Sequence, residues 1–125
     1  MQLTNAEEQV MKYLWQLGHA YMKNILDEFP EPRPATTTIA TLLKRMTDKG
    51  FVGYHQHGSN RQYFPLVKKS DYFSNQFRGM IKDFFNDSSA QFASFFTTET
   101  NLSEKELKEL RKLVDKQLES KMKKK

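Results

Sequence analysis

The clearest pattern of apolar and polar positions lies between Ala35 and Gly50, in the stretch ATTTIATLLKRMTDKG. At about 100° per residue, the apolar side of a helix here is formed by Ile39, Leu42, Leu43 and Met46. The opposite side carries Thr37, Thr38, Thr41, Lys44, Arg45 and Asp48. Hydroxyls and two cations near a helix start suit DNA recognition, because the helix N-terminus favours phosphate and Thr can bond base edges. A Thr-rich surface helix with no such role is the alternative. Thr36 or Thr37 is expected to cap this helix.

Two short amphipathic helices are predicted before this stretch. The sequence TNAE at residues 4–7 has the form of a capping box and opens the first helix, in which Trp15 is expected to anchor the core. The second helix runs from Ala20 to Phe29 and stops at the Pro-rich loop 30–34. Arg33 in that loop is either a phosphate contact or a solvated charge.

After this helical part the apolar period changes from 3.6 to about 2, which predicts a β-hairpin. Its strands are Phe51–His57 and Arg61–Val67, with a Gly-Ser-Asn turn between them. His55 and His57 would share one face of the first strand, so a metal site is conceivable. Because no Cys or acidic residue lies beside them, a polar face of the hairpin is the favoured interpretation.

Three helices followed by a hairpin are the order of elements in a winged helix, in which the third helix enters the major groove and the hairpin lies along the adjacent backbone. We therefore predict a mainly α fold with a small β-hairpin: a winged helix-turn-helix domain followed by a helical dimerisation arm. The three Thr residues of the third helix are expected to approach bases. Lys44, Arg45 and Arg61 are expected to meet phosphates or a guanine edge, and Gln62 and Tyr63 are expected to position the wing. The predicted DNA-binding residues are Thr37, Thr38, Thr41, Lys44, Arg45, Arg61, Gln62 and Tyr63.

The second part of the chain is rich in aromatic residues. We place the domain boundary between residues 1–70 and 71–125, and seven of the ten Phe residues lie between 73 and 96. So short a segment cannot bury that many rings against itself, and an exposed patch of this kind predicts association, most economically as a symmetric dimer. A protein–protein adaptor that recruits a different partner is the competing interpretation. The predicted interface residues are Phe73, Phe77, Met80, Phe84, Phe92, Phe96, Leu107, Leu110 and Val114.

Composition narrows the function further. A length of 125 residues allows one compact core with an appendage, and the net charge of +5 permits a polyanionic partner without demanding one. The chain lacks Cys, an apolar run long enough to span a bilayer and a signal-peptide pattern, so a cytoplasmic location is expected. It also lacks a Gly-rich phosphate loop and any evident catalytic group of residues, so we expect neither an enzyme nor a bound metal, cofactor or small-molecule ligand. The terminal Lys residues are expected to form a frayed, solvated tail, with non-specific attraction to DNA as the alternative.

Four motifs together resemble the penicillinase-repressor family, the BlaI/MecI type of winged-helix repressor. They are LTNAEEQVMKYLW at 3–15, TTIATLLKRMTDKGFV at 37–52, RQYFPLV at 61–67 and NLSEKELKELRKLV at 101–114. They occur in the family's order and spacing over nearly the whole chain. The resemblance implies a cytoplasmic homodimer that binds an inverted-repeat operator and represses β-lactamase or other resistance genes.

The resemblance also implies a route of induction. In the family, a membrane sensor with a metalloprotease domain responds to β-lactam, and its signal leads to cleavage of the repressor between an Asn and a Phe in the dimer arm. Alignment on the C-terminal motif places that bond at Ser94–Phe95 in this chain. The residue before the bond is Ser here, which leaves a winged-helix regulator with a different inducer as an alternative.

Overall fold

The computed structural model describes residues 2–124, and its architecture is mainly helical with a small antiparallel sheet, as the pattern predicts. The elements in chain order are α1 (Asn5–Leu17), β1 (Ala20–Tyr21), α2 (Met22–Glu28), α3 (Thr36–Asp48), β2 (Val52–His57), β3 (Asn60–Pro65), α4 (Lys69–Phe84), α5 (Ser89–Glu99) and α6 (Glu104–Lys123). The chain divides into two compact units between Ser74 and Asn75, within α4 and a few residues beyond the predicted boundary at residue 70. Within residues 2–124, every helix is too short or too polar to cross a membrane.

The capping box predicted at the start of α1 is present. The backbone N–H of Glu7 donates to the Thr4 hydroxyl at 3.2 Å, and the Thr4 N–H donates to the Glu7 carboxylate at 2.8 Å. Two otherwise unpaired backbone donors are thereby satisfied, which fixes where the helix begins. The helix ends at Gly18, whose φ of 80° is strained for other residues.

The prediction of one helix from Ala20 to Phe29 is wrong at its start. Ala20 and Tyr21 form β1, which pairs with Tyr63 and Gln62 of β3, and the helix begins only at Met22. The spacing of apolar residues along the sequence does not register this pairing, because the strand that satisfies these backbone groups comes forty residues later in the chain. The hairpin is therefore part of a three-stranded sheet in the order β1-β3-β2.

The expected Thr cap of α3 is also absent. The N-cap is Ala35, without a side-chain hydrogen bond, so Thr36 and Thr37 are already helical. The Thr41 hydroxyl donates to the Thr37 carbonyl at 3.0 Å, a local bond that satisfies a Thr within a helix. Backbone geometry alone sets this helix start, and the threonine side chains of the first turn remain exposed.

The core of the first unit lies between the helices and the inner face of the sheet. Trp15 is half-buried against it, as expected of an anchor, and its Nε1 donates to the Val67 carbonyl at 2.9 Å. Tyr72 at the start of α4 is buried, its ring lies against those of Trp15 and Phe51, and its hydroxyl donates to Glu8. The buried apolar residues are Leu3, Val10, Met11, Tyr13, Leu14, Ala20, Ile25, Ile39, Leu42, Leu43, Met46, Phe51, Val52, Tyr63 and Tyr72.

The second unit is helical and has no buried residue among positions 75–124. Its α4 and α5 are joined through Asn86 and Asp87, both in the left-handed backbone region with φ of 54° and 57°. Its phenylalanines contact one another: Phe92, for example, lies edge-on to Phe85 at 5.5 Å between ring centroids. The predicted capping box of Ser103 and Glu106 opens α6. This unit holds its helices together without forming a closed core of its own.

Candidate nucleic-acid interface

The polar face of α3 is open to a ligand along its length. Its apolar residues Ile39, Leu42, Leu43 and Met46 are buried, so the helix is fixed in place by the core. The predicted contact residues Thr37, Thr38, Thr41, Lys44 and Arg45 are all exposed. Short hydroxyls therefore line the N-terminal half of a rigidly held helix, and the two cations follow one turn later.

The two cations of α3 differ from the loop cation in what surrounds them. Among residues 2–124, neither Lys44 nor Arg45 has a carboxylate within 4.0 Å. Arg33 instead lies 3.7 Å from Asp27 and 3.6 Å from Glu31. A cation that is already paired gains less from a phosphate, so Lys44 and Arg45 are better candidates for a phosphate contact than Arg33.

On the wing, the three predicted residues have different environments. Arg61 is exposed, and its guanidinium carbon lies 4.3 Å from the centre of the Tyr54 ring. Gln62 is half-buried, and Tyr63 is only 7% exposed, with its ring in the core cluster. Alternation along β3 turns the Tyr63 side chain inward, so Tyr63 can position the wing only from beneath and not through its exposed surface.

A groove of about 990 Å³ lies between α2, the start of α3 and the tip of the wing. Lys23 and Asn60, which are not among the predicted DNA-binding residues, line it together with Arg61. The pairing of β1 with β3 brings α2 beside the wing, and this long-range contact has no local signal in the sequence. The groove is lined by Tyr21, Met22, Lys23, Asn24, Leu26, Asp27, Arg33, Pro34, Thr36, Ser59, Asn60, Arg61 and Tyr63.

The histidines lie together on the outer face of the sheet. The His55 ring stacks on Phe64 with 4.8 Å between centroids, and His19 lies 6.5 Å from His55. His57 is 6.4 Å from His55, edge-on. Over the described part of the chain, no cluster of three or more His, Asp or Glu side chains is placed to hold a metal ion. The contacts observed here are those between aromatic rings.

The residues predicted for the dimer interface remain largely uncovered in the single chain. Phe84 is 79% exposed and Val114 is 65% exposed, and Phe77, Phe96 and Leu107 are also exposed. Met80, Phe92 and Leu110 are half-buried. Phe73 belongs to the first unit, where its ring lies 5.9 Å from that of Trp15, so part of its apolar surface is already covered.

The Ser94–Phe95 bond lies in the middle of α5. Both residues are exposed, and the Ser94 carbonyl accepts a 2.7 Å hydrogen bond from the Thr98 hydroxyl. The Thr97 hydroxyl donates to the same carbonyl at 3.3 Å. The bond is thus accessible on the surface of the single chain but held in helical geometry.

Comparison with known proteins agrees with this architecture. The solution structure of the DNA binding domain of the repressor BlaI superimposes with a TM-score of 0.51 at 30% sequence identity, covering 57% of this chain and 88% of that one. The methicillin resistance regulatory protein MecI of Staphylococcus aureus strain N315 is 28% identical over 92% of this chain and 94% of its own length. The penicillinase repressor of Bacillus licheniformis is 27% identical over 91% of this chain and 90% of its own length.

The family model described as "Penicillinase repressor" matches residues 3–116, nearly the whole chain. The match takes in both units, including most of α6. A repressor family also agrees with the expectation that the chain is not an enzyme. The winged-helix fold, the exposed face of α3 and this match lead to one conclusion: the chain belongs to the penicillinase repressor family of DNA-binding transcriptional regulators.

Proposed function

We propose that this protein is a homodimeric repressor that binds an inverted-repeat operator and blocks transcription of β-lactamase or other antibiotic-resistance genes. The observation that carries the proposal is the exposed Thr, Lys and Arg face of α3 on a helix whose other face is locked into the core. The names of the relatives, a methicillin resistance regulator and a penicillinase repressor, support the class of target gene. A repressor that binds chromosomal or plasmid DNA would act in the cytoplasm.

In this proposal α3 enters the major groove. Thr37, Thr38 and Thr41 approach base edges, where a hydroxyl can donate or accept and the Thr methyl can contact a thymine methyl. Lys44 and Arg45, which lack carboxylate partners in the described chain, meet phosphates or a guanine edge. The wing reaches the adjacent backbone through Arg61, with Gln62 beside it and Tyr63 holding the strand from the core side.

The second unit supplies the dimer contact. Phe77, Phe84 and Val114 expose apolar surface that a single chain leaves in water, and burial against a second copy removes it at about 25 cal/mol per Å². Joining two DNA-reading heads makes the second half-site contact effectively intramolecular, which raises avidity by roughly 10²- to 10⁴-fold. Repression therefore depends on the dimer as much as on α3.

Induction then follows from loss of the dimer. Cleavage between Ser94 and Phe95, by or after a membrane sensor metalloprotease, separates α6 and half of α5 from the DNA-binding unit. Proteases bind their substrates in extended form, so α5 must first unwind and release the Thr97 and Thr98 bonds to the Ser94 carbonyl. The family has Asn before the cleaved bond and this chain has Ser94, so the protease in this proposal must accept Ser at that position.

The experiment that tests this function is selection of bound sequences from a pool of random duplex DNA, followed by mobility-shift titration of the selected site. We expect an inverted repeat whose two half-sites are each read by one α3. A triple variant with Thr38→Ala, Lys44→Ala and Arg45→Ala should lose the selectivity while keeping its helical content by circular dichroism. If the wild-type chain enriches no sequence even at low salt, the DNA-binding function is wrong and an adaptor role becomes the better explanation.

A further inference from the structure

On the wing, the side chain of Arg61 is held in place by neighbouring side chains and does not extend freely into solvent. The Arg61 guanidinium carbon lies 4.3 Å from the centre of the Tyr54 ring, so the planar group covers the aromatic face. Tyr54 and Arg61 come from the two strands of the wing, β2 and β3. The Tyr54 ring in turn lies 5.9 Å from that of Tyr63, which is buried in the core. The cation is therefore connected through two rings to the rigid part of the unit.

Gln56 fixes the same guanidinium from its edge. Arg61 Nε donates to Gln56 Oε1 at 3.4 Å, and Gln56 Nε2 donates to the Gly58 carbonyl at 3.0 Å and reaches the Asn60 carbonyl at 3.5 Å. One amide side chain thus links the turn of the wing to the arginine. The η nitrogens of Arg61 have no carboxylate partner among the residues the structure describes.

This arrangement suits an arginine that is preorganised to bind an anion. Stacking on an aromatic face satisfies the guanidinium plane but leaves the in-plane N–H donors along its edge available, and those donors match a phosphate in a bidentate manner. An unrestrained arginine loses side-chain conformational entropy when it becomes ordered on a ligand. An arginine that is already ordered loses less, and the difference appears as affinity.

We propose that Tyr54 and Gln56 are positioning residues that hold the Arg61 guanidinium ready for a phosphate of the DNA backbone beside the groove at the wing tip. The inference rests on the proposed DNA-binding function and adds to it two residues that need not touch DNA themselves. Lys23, Asn60 and the Arg33–Asp27 ion pair line the same groove, so a phosphate at the wing tip meets Arg61 and Lys23 as the cations that are not already paired with Asp27.

The test is a double-mutant cycle measured by fluorescence anisotropy on the selected operator at several salt concentrations. Arg61→Gln should lower the slope of log affinity against log salt by about one unit, as expected for the loss of one phosphate contact. Tyr54→Leu should weaken binding about two- to fivefold, the range for an exposed cation–π contact. Tyr54→Phe keeps the aromatic ring and should bind with the affinity of the wild type. In the Arg61→Gln background, Tyr54→Leu should have no further effect.

The role of Gln56 is tested by placing a negative charge at its position. In Gln56→Glu the new carboxylate lies beside Arg61 and neutralises it, so both affinity and the salt slope should fall toward those of Arg61→Gln. The matched control is His55→Leu: the residue is next in the strand, points to the opposite face and contacts His19 and Phe64 instead of Arg61. Its affinity and salt slope should equal those of the wild type.

A measurement without DNA checks the geometry directly. The side-chain protons of Arg61 lie over an aromatic ring, so their NMR signals should be shifted upfield in the free protein, equally in Tyr54→Phe, and should return to ordinary values in Tyr54→Leu. Ordinary values in the wild type would overturn the inference, as would an equal loss of affinity from Tyr54→Leu in both Arg61 backgrounds. If the wild-type chain selects no DNA at all, the proposed function fails, and this inference fails with it; that result is seen before any variant is made.

Discussion

Lys49, which ends α3, donates a 2.7 Å hydrogen bond from its Nζ to the carboxylate of Glu7, whose side chain is fully buried in α1. The same carboxylate oxygen accepts the Thr4 backbone N–H of the capping box. The other oxygen, Oε2, has no hydrogen-bond partner within the part of the chain that the structure describes. One residue thus fixes the start of α1 and also the end of the proposed recognition helix.

Removal of the cation should destabilise the fold strongly. In Lys49→Met the buried Glu7 carboxylate loses its charged partner, and we expect a loss of about 3 kcal/mol, the lower end for breaking a buried pair because the Lys49 side chain is 26% exposed. Urea unfolding followed by circular dichroism measures it. Lys12→Met is the matched control: Lys12 is an exposed α1 lysine with no ion pair among residues 2–124, so its replacement should change stability by no more than about 0.5 kcal/mol. Equal effects of the two variants would show that the pair contributes nothing.

The same carboxylate predicts an acid dependence of stability. Burial by itself raises the pKa of Glu7, but hydrogen bonds from Lys49 and Thr4, with the charge of Lys49, lower that pKa below its usual value. The folded protein therefore binds fewer protons than the unfolded chain, and this contribution is full above the unfolded pKa of about 4.3 and is lost as the pH falls through the folded pKa. As the pH is lowered from 7 to 3, the free energy of unfolding should decline less steeply in Glu7→Gln than in the wild type. Parallel curves would remove Glu7 from the acid response.

On α3, a single-site substitution distinguishes a phosphate contact from a base contact. Arg45→Ala should weaken operator and non-operator DNA alike and reduce the salt slope by about one unit if Arg45 meets a phosphate, or cost about 1 to 3 kcal/mol on one base position if it meets a guanine. Anisotropy titrations at several salt concentrations separate these outcomes. Arg33→Ala is the control, because Asp27 and Glu31 already pair with Arg33. Unchanged affinity and slope in Arg45→Ala would take Arg45 off the interface.

The dimer contact is open to a charge test. In Val114→Asp a carboxylate enters the apolar face of α6, and its desolvation on association should shift the protein from dimer to monomer in sedimentation equilibrium. Lys112→Glu, an exposed change on another face of the same helix, should leave the dimer intact. A wild-type chain that sediments as a monomer at tens of micromolar would contradict the dimer itself.

Truncation tests the link between the dimer and repression. A chain that ends at Ser94 should be monomeric, bind a single half-site as well as the full chain does, and bind the complete operator roughly 10²- to 10⁴-fold more weakly. The control ends at Met122 and loses only the three terminal lysines. If the chain ending at Ser94 still bound the operator as tightly as the control, cleavage in α5 would not explain induction.

Local patterns accounted for much of this molecule. The 3.6-residue period of Ile39, Leu42, Leu43 and Met46 correctly identified the buried face of α3, because a helix that packs on one side must repeat its apolar residues at that spacing. Both capping boxes were readable, since each is formed by residues three apart in the sequence. The order of helices and hairpin was enough to indicate the winged-helix class.

What the sequence did not contain were the contacts between distant segments. The pairing of Ala20 and Tyr21 with β3 turned a predicted helix start into a strand, and it placed Lys23 beside the wing. The same applies to the Lys49–Glu7 pair, separated by 42 positions. Periodicity and capping report only on neighbours within a few residues, whereas burial and charge pairing depend on which elements the folded backbone brings together. Tertiary structure alone therefore decided that Tyr63 supports the wing from inside and that Arg61, unlike Arg33, has no carboxylate partner among residues 2–124.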